Sequence, residues 1–154
     1  MDSQPVNQIA ALPVRASDDG SLEVLLVTSR ETGRWVMPKG WEMDGKKPWA
    51  AAEIEALEEA GAVGHISKKA IGTYRYKKRL DGGSAIPVRV TLYPMYVKKL
   101  NRRWKERGQR KRHWFSPKGA AKRVREPALK ELLLSLSSPK KISRNLPGKI
   151  RKRL

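Results

Sequence analysis

The segment Pro48–Ala60 constrains this chain more than any other part of it. Pro48 suits the first turn of a helix, where its missing N–H costs nothing, and Gly61 suits the position after the last turn. Ala50, Ala51, Ala52, Ala56 and Ala60 allow this helix a close backbone approach to a sheet, with Ile54 and Leu57 as larger anchors. At 3.6 residues per turn, Glu55, Glu58 and Glu59 fall together on one face. Like charges at that spacing repel, and acids near a helix C-terminus oppose its dipole. A divalent cation resolves the conflict, because clustered hard oxygen ligands on a rigid element suit magnesium. The alternative is an acidic helix face that is merely solvated.

The segments on either side of the helix predict strands. Ile9–Val14 and Leu22–Val27 flank the turn residues Ser17–Ser21 and read as a hairpin, and Trp35–Met37 is a short extended piece stopped by Pro38 and Gly40. Trp41–Lys47 reads as a loop. Ile71–Leu80 and Ile86–Leu100 flank Asp81-Gly82-Gly83, a strong hairpin signal. Residues 101–112 form a basic loop, Trp114-Phe115 a short strand, and Pro117–Val124 and Pro127–Leu136 two short helices. This order predicts an α+β fold, a mixed β-sheet packed between helices, over residues 1–136. Residues 137–154, with seven basic side chains and no acid, read as a basic tail that stands off the domain.

Charge narrows the partners. The chain has 34 Lys and Arg against 15 Asp and Glu, a net charge of +19. Residues 1–60 hold 6 basic and 11 acidic side chains, whereas residues 61–154 hold 28 basic and 4 acidic. Such a field draws in polyanions without choosing among them. The sequence has no cysteine, which removes thiolate chemistry and fits a reducing interior. No basic-then-apolar leader and no apolar run near the ~20 residues of a membrane span is present, so a soluble, cytoplasmic protein is expected.

Gly40, Glu55, Glu58, Glu59 and Gly61 together resemble the Nudix box, Gx5Ex7REUxEExGU with U aliphatic. Two positions depart from it: Lys46 stands at the first box glutamate and Ile54 at the box arginine, which in the family orients the carboxylates. Glu42 and Glu53 are the nearby candidates to replace that glutamate in part. Ser29-Arg30, Arg34-Trp35, Pro38-Lys39-Gly40, Trp104 and Gln109–Phe115 further resemble the diphosphoinositol polyphosphate phosphohydrolase branch. The likeness covers about residues 6–136. It implies hydrolysis of a diphosphate linkage with magnesium (manganese as alternative) held by Gly40, Glu55, Glu58 and Glu59, the three glutamates being catalytic.

It also implies that Arg30, Arg34, Lys39, Arg110, Lys111 and Arg112 grip substrate phosphates, with Trp41 as a stacking surface. Lys77-Lys78-Arg79 reads instead as an exposed hairpin tip. The expected substrate is a phosphorylated small molecule of the diphosphoinositol polyphosphate or dinucleoside polyphosphate type. RNA 5′ ends and nucleotide sugars are the rival substrates, and the basic tail is a contact for RNA or polyphosphate. Lys46 and Ile54 keep open a third reading, a degenerate module that binds polyanions without hydrolysis.

Overall fold

The computed structural model describes residues 4–137, 148–152 and 154. Its centre is a parallel pair, β1 (Val6–Ala16) beside β7 (Ala85–Leu100), in register from Val6↔Val88 to Val14↔Tyr96. Both strands are apolar on both faces, so the pair belongs between two layers. Ile9 and Ala11 of β1 point into one core, and Ala10, Leu12 and Val14 into the other. The free edge of β1 is shared: its last residues pair antiparallel with β2 (Leu22–Thr28), its first with β4 (Lys39–Trp41). Beyond β2 lie β3 (Trp35–Val36) and β8 (Arg112–Phe115). On the other side, β7 pairs first with β6 (Gly72–Arg79) and then with β5 (Ala62–Ile66).

Helix α1 (Pro48–Ala60) covers one face of this sheet, and α2 (Pro117–Arg123) with α3 (Pro127–Ser135) covers the other. This is the expected mixed sheet packed between helices. Ala51, Ala52, Ala56 and Ala60 of α1 are fully buried against the sheet. Leu57, expected to anchor the helix, is instead exposed, and the alanines carry the contact.

The structure adds two strands to those expected. Pro38 and Gly40 act as breakers only in sequence: the Pro38 carbonyl accepts from the Ala11 N–H, and β4 pairs with Gln8–Ala10 directly after it. Strand β5 holds a bulge between Val63 and Gly64, where a Cβ on Gly64 would lie 1.8 Å from the Tyr96 carbonyl oxygen. That close approach demands glycine, and glycine in a five-residue strand hides the alternation that would announce it.

The tail also departs from expectation. A short helix, α4 (Gly148–Arg151), puts Ile150 fully buried in the core that contains Leu129, Leu133 and Leu136. The end of the chain is therefore part of the domain's packing. Ile142 and Leu146, the apolar residues before it, lie outside the described residues. Truncating a buried Ile to Ala typically costs 2–5 kcal/mol, and a terminal segment relaxes more easily than a central one. Ile150→Ala is expected to cost about 2 kcal/mol in urea unfolding. An unchanged midpoint would show that α4 contributes nothing to the fold.

Candidate active site

The site begins at the C-terminal end of α1, where helix carbonyls lack intrahelical partners. Gly61 closes the helix in the left-handed conformation, φ 65°. Loop 101–112 then supplies donors to successive carbonyls. The Glu106 N–H donates to Glu58 O (3.1 Å), Trp104 Nε1 to Glu59 O (3.0 Å), Arg112 Nη1 to Ala60 O (2.8 Å) and the Asn101 N–H to Gly61 O (2.8 Å). The Arg112 guanidinium lies 3.8 Å from the centre of the Trp104 ring. A Cβ on Gly61 would approach Arg112 Nη1 to 2.9 Å, so the loop closes on this glycine without room for a side chain.

Glu55 and Glu59, one turn apart on that helix, hydrogen-bond to each other through their carboxyls. Burial, and then the bond to Glu55, pushes Glu59 up to about 9; burial raises Glu55 as well, although the Glu59 bond lowers it. Together the two carboxyls hold a proton more readily than isolated ones would. The backbone N–H of Lys39 donates to Glu59 Oε1 at 3.4 Å, and Arg110 Nη2 lies 3.6 Å from Glu59 Oε2. Strand β4 brings Gly40 against Glu55, where a Cβ would stand 2.5 Å from the carboxyl carbon. A side chain at this position would push that carboxyl from its place. Lys39 is pushed down to about 8 by burial, opposed by the negative charge of Glu59.

These groups line a cleft of about 1000 Å3. Of the residues singled out from sequence, Arg30, Arg34, Lys39, Gly40, Trp41, Glu55, Glu59 and Arg110 reach it. Glu58, Lys111 and Arg112 do not. Glu58 pairs with Lys105 at 3.6 Å on the loop side of α1, Lys111 engages Thr28 through its backbone, and Arg112 caps the helix. The cleft contains groups that sequence reasoning left out. Glu106 lines it, accepting from Arg110 Nε at 2.7 Å and lying 3.7 Å from Arg30 Nε. The signal was available, since Glu106 is the sole acid between Asp81 and Glu126. Glu126 lines the floor, buried and paired with Arg34 at 2.9 Å. Lys77, Lys78 and Arg79, read as an exposed hairpin tip, form part of the wall together with Arg125.

The carboxyl pair fits a divalent metal. It offers hard oxygen ligands that share a proton where a cation would remove the need for one. Among the described residues no three acidic or histidine side chains form a closed metal cage. Magnesium needs none, since it usually binds one or two carboxylates and takes its other oxygens from water and phosphate.

No family model matches the chain. It is 32% identical over 154 residues to Nudix hydrolase 18, mitochondrial, of Arabidopsis thaliana, a match that covers 90% of this chain and 85% of that protein. It is also 32% identical to Nudix hydrolase 16, mitochondrial, of the same plant, over 73% of this chain but only 64% of that relative's length. The fold is shared with a C. elegans Ap4A hydrolase solved as a binary complex, at a TM-score of 0.62 and 22% identity over 90% of this chain and 96% of that one. A NUDIX hydrolase from Nitrosomonas europaea superposes at a TM-score of 0.61, with 19% identity over 96% and 95%. The architecture is thus that of the Nudix fold. The chain belongs to the Nudix hydrolases, a family of acid anhydride hydrolases that generally use divalent metals. Among the described residues, no helix is long and apolar enough to cross a membrane.

The raised Glu59 value fixes a pH dependence for the metal-free protein. A carboxyl that holds its proton more tightly when folded contributes stability that is complete below its unfolded value, 4.5, and is lost as pH rises toward about 9. Lys39, held at about 8, acts with the opposite sign only at higher pH. Melting temperature in chelator is therefore expected to fall from about pH 5 to about pH 8, and Glu59→Gln to flatten the fall. Parallel wild-type and variant profiles would remove the proton from Glu59.

Proposed function

We propose that this protein hydrolyses a diphosphate linkage in a densely phosphorylated small molecule, with magnesium held by Glu55 and Glu59 and by the Gly40 carbonyl. The observation that carries this reading is the make-up of the cleft. Its lining combines the paired carboxyls Glu55 and Glu59 with Lys77, Lys78, Arg79 and Arg125. Among the described residues none of those four pairs with a carboxylate, whereas Arg30, Arg34 and Arg110 all do. Unpaired cations beside a metal-ready acid pair suit a substrate with several phosphates, of the diphosphoinositol polyphosphate or dinucleoside polyphosphate type.

When bound, the divalent cation supplies charge neutralisation for phosphate oxygens and activation of water. The chain's own residues supply the rest. Lys39, Arg30 and Arg34 offset the charge that develops on the departing phosphate. Gly40 keeps the space that the Glu55 carboxyl fills.

Trp41 supports the dinucleoside variant of this reading. It is 44% exposed, lines the cleft, and offers a ring for base stacking, with the Lys78 ammonium 6.0 Å from its centre. The Ap4A hydrolase named on a shared fold points the same way. The basic residues 137–154 would add an electrostatic contact for RNA or polyphosphate. A cysteine-free chain suits the reducing cytoplasm, although the Arabidopsis relatives carry a mitochondrial designation.

Phosphate release from a panel of diphosphates with magnesium tests hydrolysis against mere binding. Glu55→Gln and Glu59→Gln are each expected to lower turnover at least ~10²-fold while the chain stays folded. Wild-type turnover in both would remove the metal from these residues. Joint replacement of Lys77, Lys78 and Arg79 by alanine should raise KM about tenfold for a densely phosphorylated substrate and leave kcat nearly constant, as expected for uniform binding. An equal KM for wild type and variant would make the hairpin ordinary surface.

A further inference from the structure

The box position that carries an arginine in related proteins is Ile54 here, on the same helix as the carboxylates. A pair of buried acids still requires a fixed partner to hold its orientation. The cation that faces Glu59 comes from outside the helix. Arg110, 10% exposed at its side chain, is held by three groups at once: Nε binds Glu106 Oε1 at 2.7 Å, Nη1 donates to Thr28 O at 3.0 Å, and Nη2 faces Glu59 Oε2 at 3.6 Å. Loop 101–112 fixes its base, since the Arg110 N–H donates to Glu106 O and the Glu106 N–H donates to Glu58 O. A planar guanidinium holds its donors in a rigid fork and reaches acceptors several ångströms apart, whereas an ammonium on a flexible stem offers its three donors from a single point.

We propose that Arg110 is a positioning residue that does the work of the absent box arginine, fixing the Glu59 carboxylate for metal from the loop rather than from the helix. This rests on the metal-site reading above and refines one part of it. A guanidinium with all three nitrogens engaged by Glu106, Thr28 and Glu59 has little left for gripping a remote phosphate. The sequence expectation that Arg110 binds substrate is thereby replaced by a role through Glu59.

The test compares wild type, Arg110→Ala and Arg110→Lys by Mn2+ binding, read from the free-ion EPR signal without substrate, and by steady-state kinetics. Loss of an outer-shell partner typically weakens metal affinity 10–100-fold. Arg110→Ala is expected to raise the Mn2+ Kd by about tenfold or more and to lower kcat with KM little changed. Arg110→Lys, which keeps the charge but not the fork, should fall between, and it also serves if the alanine variant does not fold. Unchanged Mn2+ affinity with a raised KM in either folded variant would overturn the proposal and return Arg110 to substrate binding. Wild type that binds no Mn2+ would instead overturn the metal site itself, and the positioning role with it.

Discussion

The end of α1 is where the structure's demands meet. A helix C-terminus exposes carbonyls and the negative end of a dipole, and this one also carries Glu55, Glu58 and Glu59. Standing alone, it would place three like charges where they are least favoured. Loop 101–112 removes the difficulty by direct contact. Its donors reach the carbonyls of residues 58 to 61, and its cations Lys105 and Arg110 sit within ion-pair range of Glu58 and Glu59. A hydrogen bond contributes roughly 1 kcal/mol net, but an unpaired buried carbonyl costs about 1–3 kcal/mol, so losing the loop would be felt mainly as unmet carbonyls. Of the loop's seven cations, Lys105, Arg110 and Arg112 meet the helix end beneath it.

The rest of the fold delivers that helix end to a cleft. Burying Ala51, Ala52, Ala56 and Ala60 brings the α1 backbone close to the sheet, near enough for β4 to reach its acids. Because β4 pairs with the first half of β1, Lys39 presents its N–H to Glu59 and Gly40 its bare Cα to Glu55. Two carboxyls held this way are costly without a cation, and burial accordingly raises their affinity for a proton. A site that spends stability in this manner has been shaped by what it binds.

Much of this was readable in the residues, for physical reasons that differ by element. Pro48 and Gly61 bracket α1 because their backbone restrictions act locally, and Gly82 and Gly83 mark the β6–β7 turn through positive φ values of 90° and 89°. Strands β4 and β5 were hidden because their pairing is nonlocal: Gly40 and Gly64 look like breakers until a partner at β1 or β7 makes close approach the point. At the site, Glu55 and Glu59 were legible from helical spacing, whereas Glu106 stood out only as a lone acid in a basic stretch and Glu126 not at all, since each meets its partners only after the chain folds back. Lys111 and Arg112 misled for the converse reason. Their sequence neighbour Arg110 faces the cleft, but Lys111 engages Thr28 by its backbone and Arg112 turns to the Ala60 carbonyl at the end of α1.

The uneven charge of the chain acquires a meaning once the halves are placed. The acids of α1 come from residues 1–60, where acids outnumber bases, and the wall of Lys77, Lys78, Arg79 and Arg125 comes from the strongly basic remainder. The cleft lies on the seam between them. Some of the basic excess is consumed internally, as Arg110 on Glu59 and Glu106 and Arg34 on Glu126. What is left over along the wall has no acid among the described residues to meet, so its field extends into the cleft. Ions at such a distance add little to folding, because exposed charges are screened within about 10 Å at ordinary ionic strength. Their effect falls instead on whatever anion enters, and it is largest where low-dielectric walls focus the field. Folding thus turns a lopsided sequence into a cleft lined both by paired acids and by cations that no carboxylate among the described residues meets.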